Sequence, residues 1–118
     1  KRAETLHRLA VASSEGKLPL ARGAIAAGRA ALAQIAGIGP WTIEYVAMRA
    51  LGDPDVFLAT DLGVRHALES LGLDGSPRAA LERSAPWSPW RSYALHHLWS
   101  SLAPVVPPSV TRRERNRP

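Results

Sequence analysis

The stretch 36-AGIGPWTIEYVAMR-49 joins a turn built on two glycines to the start of a helix. Gly37 and Gly39 allow the chain to reverse in few residues, because glycine tolerates positive φ, and Pro40 suits the first helical position, where its missing N–H costs nothing. The run before the turn, 22-RGAIAAGRAALAQI-35, is rich in good helix formers. The stretch therefore predicts two helices joined by a tight hairpin. The second helix is apolar on most sides, which predicts that it is buried.

Apolar residues recur at helical spacing through the rest of the chain, and no stretch shows strand alternation or an internal repeat. We predict helices ahead of Gly16, over about 22–35 and 40–51, after Thr60-Asp61, and over about 78–84 and 90–102. The fold class is thus all-α, with about six helices. Residues 1–103 are predicted to form one helical domain with its hairpin at 32–51, and the Pro/Arg-rich segment 104–118 to be disordered.

The net charge of +5 is not spread evenly along the chain. Residues 1–103 hold 11 Lys/Arg and 9 Asp/Glu, a net charge of +2, whereas residues 104–118 hold four Arg and one Glu, a net charge of +3. Basicity is therefore largely a property of the C-terminal segment. The run 111-TRRERNRP-118 is either a solvated end or a non-specific phosphate-binding arm.

Two features of the composition exclude whole classes of protein. The chain has no cysteine, so it can hold no disulfide, no cysteine-ligated zinc and no iron–sulfur cluster. No apolar run approaches the roughly 18 residues that span a bilayer, and the first ten residues have the pattern of an amphipathic helix instead of a signal peptide. We therefore expect a cytoplasmic protein that has no contact with a membrane.

The glycine turn has two interpretations. It is either a plain joint between helices or an anion site, in which the amides of Gly37 and Gly39 and the positive end of the next helix dipole hold a phosphate oxygen. Thr42 lies in the first turn of that helix and adds a hydroxyl to the second interpretation. Phosphate contacts of this kind position a nucleic acid without reading its sequence. Arg49, Arg65 and Arg91 are further candidates either for phosphate contacts or for surface ion pairs.

Three motifs together resemble a known family. They are the hairpin motif at the start of 32-LAQIAGIGPWTIEYVAMRALGDPDVFLATDLGVRHAL-68, the FLATD segment within it, and 87-WSPWRSYALHHLW-99. In their order and separation they resemble the helix-hairpin-helix (HhH-GPD) DNA glycosylases, specifically the alkylpurine branch typified by bacterial 3-methyladenine DNA glycosylase II. The resemblance spans roughly residues 20–103. It implies a monomeric base-excision repair enzyme of the bacterial cytoplasm and nucleoid, which acts on double-stranded DNA containing alkylated bases.

Asp61 stands where this family has its catalytic carboxylate. Taken alone, an Asp after a Thr is better interpreted as a helix N-cap, and the surrounding motif is what favours catalysis. A carboxylate near the anomeric carbon stabilises the positive charge that develops on the sugar, and orients or deprotonates a water. One carboxylate suffices where the leaving base is already cationic, as an N3- or N7-alkylated purine is.

Trp41, Tyr45 and Trp99 stand where the family has the aromatic residues of its base pocket. Core packing is the alternative for each of them. In the family a flipped-out cationic base lies against such rings, which attract it through cation–π interaction. Relatives that also nick the DNA strand have a lysine at the position of Trp41. The resemblance therefore implies a monofunctional enzyme, which leaves an abasic site in an unbroken strand.

The resemblance also bears on ions and on completeness. It requires no cofactor, and it implies a structural Na⁺ or K⁺ at the hairpin, on the backbone carbonyls of Ala33, Ile35 and Gly37. The first twenty residues show no match to the helices that precede this region in the family, one of which supplies a wedge side chain. We therefore expect an incomplete glycosylase domain, the C-terminal portion of a longer protein with a further N-terminal segment or domain. In isolation this portion is expected to be poorly active.

Two hypotheses of other classes accompany the glycosylase. A non-catalytic helix-hairpin-helix module would grip the DNA backbone through Gly37 and Gly39 and would be indifferent to Asp61. A helical interaction domain would have no role with nucleic acid at all.

Overall fold

The computed structural model describes residues 1–102, and within them all regular structure is helical. The six α-helices are α1 (Arg2–Ser14), α2 (Ile25–Ala33), α3 (Pro40–Arg49), α4 (Leu62–Ser70), α5 (Pro77–Ser84) and α6 (Arg91–Ser101), with a short 3-10 helix at Ala85–Trp87. The predicted all-α fold with about six helices is confirmed. The predicted disordered segment 104–118 lies outside the described residues. No helix in the described part of the chain has the length and apolar character needed to cross a membrane.

Helix boundaries differ from the predicted ones for local reasons. α2 begins at Ile25 instead of Arg22, because Gly23 adopts a φ of +95° and donates its N–H to the carbonyl of Leu51 at 2.8 Å. α3 ends at Arg49, two residues before the predicted end. α4 begins after Asp61, where the Thr-Asp pair predicts a helix start.

The hydrophobic core lies where α3, α4, α5 and α6 surround the segment 51–58. α4 packs on α6, and α2 packs on α3. The fully buried core side chains include Leu51, Val56, Val64, Leu68 and Leu95. Burial of each such side chain contributes about 1.5–3 kcal/mol relative to exposure. Hydrogen bonds from Trp41 and Trp99 to Asp61 bring the first turn of α3 and the last turn of α6 to the start of α4.

α1 differs from the other helices because none of its residues is buried. It contacts the body at the hairpin, where Thr5 faces Gly37 so closely that a Cβ on Gly37 would overlap the Thr5 hydroxyl. Arg8 Nη1 donates to the carbonyl of Ala36 at 3.4 Å. A groove of about 640 Å³ separates α1 from the end of α2, and Val11, Leu18 and Ile35 contribute to its walls.

Candidate active site

Asp61 is the N-cap of α4, at the end of the segment that leads out of the core. Its backbone is extended, with φ −68° and ψ 131°, and its Oδ2 accepts the N–H of Val64 at 3.0 Å. The Asp61 N–H donates to the carbonyl of Leu58 at 3.0 Å. The capping interpretation of Asp61 is therefore correct, and it fixes the backbone that carries the carboxylate.

Two indoles complete the surroundings of the Asp61 carboxylate. Trp41 Nε1 donates to Oδ1 at 3.0 Å, and Trp99 Nε1 donates to Oδ2 at 2.9 Å. Trp41 belongs to α3 and lies 20 residues before Asp61 in the sequence, and Trp99 belongs to α6 and lies 38 residues after it. Hydrogen bonds to an ionised acceptor are among the stronger ones in proteins. Three donors on two oxygens hold the carboxylate in one orientation, so Asp61 is more than a helix cap.

The aromatic rings beside Asp61 form a stacked group. Trp41 and Tyr45 are nearly parallel, with centroids 4.9 Å apart and planes 11° apart. Trp99 approaches Tyr45 at 6.2 Å and 50°. The Arg49 guanidinium lies over the Tyr45 ring, 5.6 Å from its centroid. Trp41, Tyr45 and Arg49 are spaced four apart in α3, so their side chains lie on one face of the helix. Tyr45 is in the middle, with Trp41 on one side and Arg49 on the other.

Trp41 retains an open face. Its side chain is 41% exposed, so the prediction that α3 is buried on most sides is wrong at this position. Core packing therefore does not account for Trp41, whereas Tyr45 and Trp99 are half-buried and pack against the core. An exposed indole beside a held carboxylate offers a flat apolar surface to a planar ligand.

The hairpin presents backbone donors on the surface. Gly37 has a φ of +97°, and Gly39 is the N-cap of α3 with no side chain capping the first turn. A Cβ at Gly39 would meet nothing within 4 Å, so its surroundings are open. Thr42 is half-buried in the first turn of α3. These features leave the N-terminal amides of α3 available to an anion.

The three carbonyls named for a cation lie at the end of α2 and in the turn between α2 and α3. Ala33 is the last residue of α2, and the Ile35 carbonyl accepts the N–H of Ile38 at 3.1 Å. A carbonyl oxygen has two lone pairs, so this hydrogen bond still leaves it able to bind a cation. No cluster of three or more His, Cys, Asp or Glu side chains suited to a metal occurs within residues 1–102.

Comparison with known proteins finds relatives that are named as DNA repair enzymes. No family model matches the chain. It is 55% identical over 74 residues to the probable bifunctional transcriptional activator/DNA repair enzyme AlkA of Mycobacterium tuberculosis, a match that covers 63% of this chain and 15% of the relative. It is 38% identical over 100 residues to DNA-3-methyladenine glycosylase 2 of Escherichia coli, covering 84% of this chain and 34% of the relative.

A third relative carries the same kind of name. The DNA-3-methyladenine glycosylase of Bacillus subtilis is 43% identical over 74 residues, which cover 60% of this chain and 24% of the relative. The chain is similar to DNA-3-methyladenine glycosylases. It spans between 15% and 34% of the length of these three relatives. The similarity supports the resemblance to the alkylpurine glycosylases that the three motifs indicate.

Two of the arginines considered for phosphate contacts form ion pairs instead. Arg91 binds Asp55 through two hydrogen bonds, at 2.8 Å and 3.0 Å, and Arg65 Nε binds Glu69 at 2.9 Å. Arg49 instead lies over the Tyr45 ring, beside the candidate site. The sequence patterns do not single out Gly63, although a Cβ there would crowd both Asp61 and Trp99. The available signal is a glycine inside a helical turn, where glycine is a poor helix former.

Proposed function

We propose that this chain carries the catalytic carboxylate and the base-binding surface of a DNA glycosylase for alkylated purines, of the 3-methyladenine and 7-methylguanine type. The observation that carries the proposal is the Asp61 carboxylate, held by Trp41 Nε1 at 3.0 Å and Trp99 Nε1 at 2.9 Å beside a stacked pair of aromatic rings. The similarity to named glycosylases supports the same conclusion.

The chemistry follows from the charge of the two reacting parts. As the N-glycosidic bond breaks, positive charge develops on the sugar, and the fixed carboxylate of Asp61 stabilises it. The bonding electrons leave with the alkylated purine, which is cationic before cleavage and becomes neutral. Water adds to the anomeric carbon and loses a proton, so the products are a free base and an abasic site. Little general-acid assistance is needed, because the leaving group already carries the charge.

Recognition uses the exposed aromatic surface. A nucleotide that has been flipped out of the duplex would stack its base on the open face of Trp41, with Tyr45 behind and Trp99 alongside. Cation–π attraction to such rings favours a charged base by about 0.5–2 kcal/mol beyond ordinary stacking. Because the base would be selected by its charge and not by a hydrogen-bond pattern, the enzyme would accept a broad range of alkylated purines as substrates.

The hairpin supplies the grip on the DNA strand. The amides of Gly37 and Gly39, with Thr42, would bind a backbone phosphate at the positive end of α3. A Na⁺ or K⁺ on the carbonyls of Ala33, Ile35 and Gly37 would add positive charge beside that phosphate; no step of the chemistry depends on it. The proposed enzyme acts as a monomer on double-stranded DNA in the cytoplasm.

The proposal is tested by a substitution that removes the negative charge of Asp61 and keeps the shape of its side chain. Asp61→Asn retains an oxygen that can cap α4 but loses the charge, so we expect release of methylated purine from alkylated duplex DNA to fall by about 100-fold or more. The measurement uses the natural polypeptide that contains residues 1–118. The control is Asp74→Asn, which makes the same change at an exposed turn where the carboxylate accepts the N–H of Ser76 at 2.9 Å.

The outcomes separate the hypotheses. Equal rates for the parent and Asp61→Asn would overturn the catalytic role of Asp61. If neither protein releases base and both bind duplex DNA in a salt-sensitive manner, the non-catalytic helix-hairpin-helix module is correct instead.

A further inference from the structure

Gly63 lies in the first turn of α4, two residues after Asp61. Glycine is among the poorest helix formers, and its use inside a helix calls for a local reason. Backbone conformation is not that reason, because Gly63 does not have a positive φ. The reason is space: a Cβ at Gly63 would lie 2.9 Å from Asp61 Oδ2, 3.2 Å from Trp99 Cδ1 and 3.3 Å from Trp99 Nε1.

These neighbours distinguish Gly63 from the other crowded glycines of negative φ in residues 1–102. The Cβ positions of Gly28 and Gly75 face Leu51 and the backbone of Arg65, which are packing contacts away from Asp61. The Cβ position of Gly63 faces the two atoms that form the Trp99–Asp61 hydrogen bond, Nε1 and Oδ2, which are 2.9 Å apart. The missing side chain therefore allows the edge of the indole to lie against the first turn of α4.

We propose that Gly63 is a positioning residue, whose lack of a side chain lets the Trp99 indole hold one oxygen of Asp61 in place. Its effect on base release rests on the function proposed above, whereas its effect on Trp99 does not. An alanine Cβ here would crowd both Asp61 Oδ2 and the edge of the Trp99 indole, so this hydrogen-bonded pair would have to shift. Trp99 is confined by the core and by His96, whose ring centroid is 5.6 Å away. Trp41 Nε1 donates to the other oxygen, Oδ1, and would remain as a donor.

The substitution Gly63→Ala separates positioning from stability. The better helix propensity of alanine offsets the cost of crowding Trp99 and Asp61, so we expect the melting temperature to change little. In the ¹H–¹⁵N spectrum of the 118-residue chain, the Trp99 indole resonance should move towards the position of an indole that has no carboxylate acceptor, with faster exchange with water. Trp99→Phe assigns that resonance by deleting it. The indoles of Trp87 and Trp90 should not change.

A control adds the same methyl group where it meets nothing. Gly39→Ala places a Cβ with no heavy atom within 4 Å, so the Trp99 resonance should keep its position. An unchanged Trp99 resonance in Gly63→Ala would overturn the proposal, because the indole would then tolerate the extra methyl group.

Kinetics on alkylated DNA provide the second arm. In the natural polypeptide, Gly63→Ala should lower the single-turnover rate of base release about tenfold, with unchanged affinity for undamaged DNA. Trp99→Phe should lower it to a similar extent, and the double variant should be no slower than Trp99→Phe alone. Additive losses would overturn the proposal that Gly63 acts through Trp99. If the parent releases no base, the proposed function fails, and the indole resonance alone decides the role of Gly63.

Discussion

A tryptophan at position 41 makes two contacts that a lysine there could not make together. Its indole N–H donates to Asp61 Oδ1 at 3.0 Å, and its ring stacks on Tyr45 at 4.9 Å. A lysine would offer an amine, which attacks the sugar of a flipped nucleotide and forms a Schiff base. The residue at this position therefore favours stacking and charge stabilisation over covalent catalysis.

We expect base release without strand cleavage. The chain contains two lysines, Lys1 at its start and Lys17 after α1, and Lys17 pairs with Glu15 at 2.6 Å. Borohydride added during the reaction should trap no protein–DNA adduct, and the strand should break only after alkali treatment. The alkali lane is the control that abasic sites have formed. A borohydride-trapped adduct would contradict the monofunctional assignment.

The sequence predicts part of this site by local geometry and part by motif alone. Trp41 and Tyr45 are four residues apart in one helix, so helical spacing is enough to place their rings together. Asp61 and Trp99 are 38 residues apart, and no periodic pattern joins them; only the resemblance to a family brings them into one site. Gly63 could not be predicted, since a glycine inside a helical turn does not show which tertiary contact calls for it.

At the scale of elements, the loop between α3 and α4 is bound to the start of α6. Asp55 accepts hydrogen bonds from Arg91 Nε at 2.8 Å and from Ser88 Oγ at 2.8 Å. Ser92 Oγ accepts the N–H of Val56 at 2.8 Å. Because this loop leads to Asp61 and α6 carries Trp99, these bonds couple the two halves of the candidate site. Helical periodicity predicts the helices themselves, whereas ion pairs between distant residues leave no periodic trace.

Loss of the Arg91–Asp55 pair should destabilise the fold. Hydrogen bonding by Arg91 holds the pKa of Asp55 well below its ordinary value. The charged carboxylate therefore stabilises the folded state fully above about pH 4, the ordinary aspartate pKa, and this contribution is lost as the pH falls further. Arg91→Gln should lower the melting temperature by several degrees at pH 7, and the difference from the parent should shrink below about pH 4.

A matched substitution shows whether that loss is specific. Arg78 pairs with Glu82 at 3.1 Å on the surface of α5, with side chains 91% and 69% exposed. Surface pairs of this kind contribute little, so Arg78→Gln should leave the melting temperature nearly unchanged at both pH values. Equal changes in melting temperature for the two substitutions would show that the Arg91–Asp55 pair contributes no more to stability than an exposed surface pair.

At the scale of the whole molecule, positive charge and the candidate site are separate in sequence. Residues 1–103 have a net charge of +2, and residues 104–118 have a net charge of +3. The proposed affinity for DNA therefore has two candidate sources, the amides at the hairpin and the arginines of the C-terminal segment. Binding by the hairpin depends on the positions of its amides, whereas binding by the C-terminal arginines depends only on their charge. Removing the C-terminal segment and adding a negative charge at the hairpin should therefore have different effects on affinity.

We expect binding to undamaged duplex DNA to weaken steeply between about 50 and 200 mM salt, because phosphate contacts release counterions. If the segment 104–118 binds phosphate, a chain ending at residue 103 should show a shallower slope of log K against log salt, by up to about 3–4. Gly39→Asp should weaken binding at every salt concentration, by repulsion at the hairpin, whereas Gly39→Asn, an equally good N-cap without the charge, should bind more tightly than Gly39→Asp. Equal slopes for the two chain lengths would show that 104–118 is a solvated end. Affinity that ignores salt would contradict phosphate binding altogether and would favour the helical interaction domain.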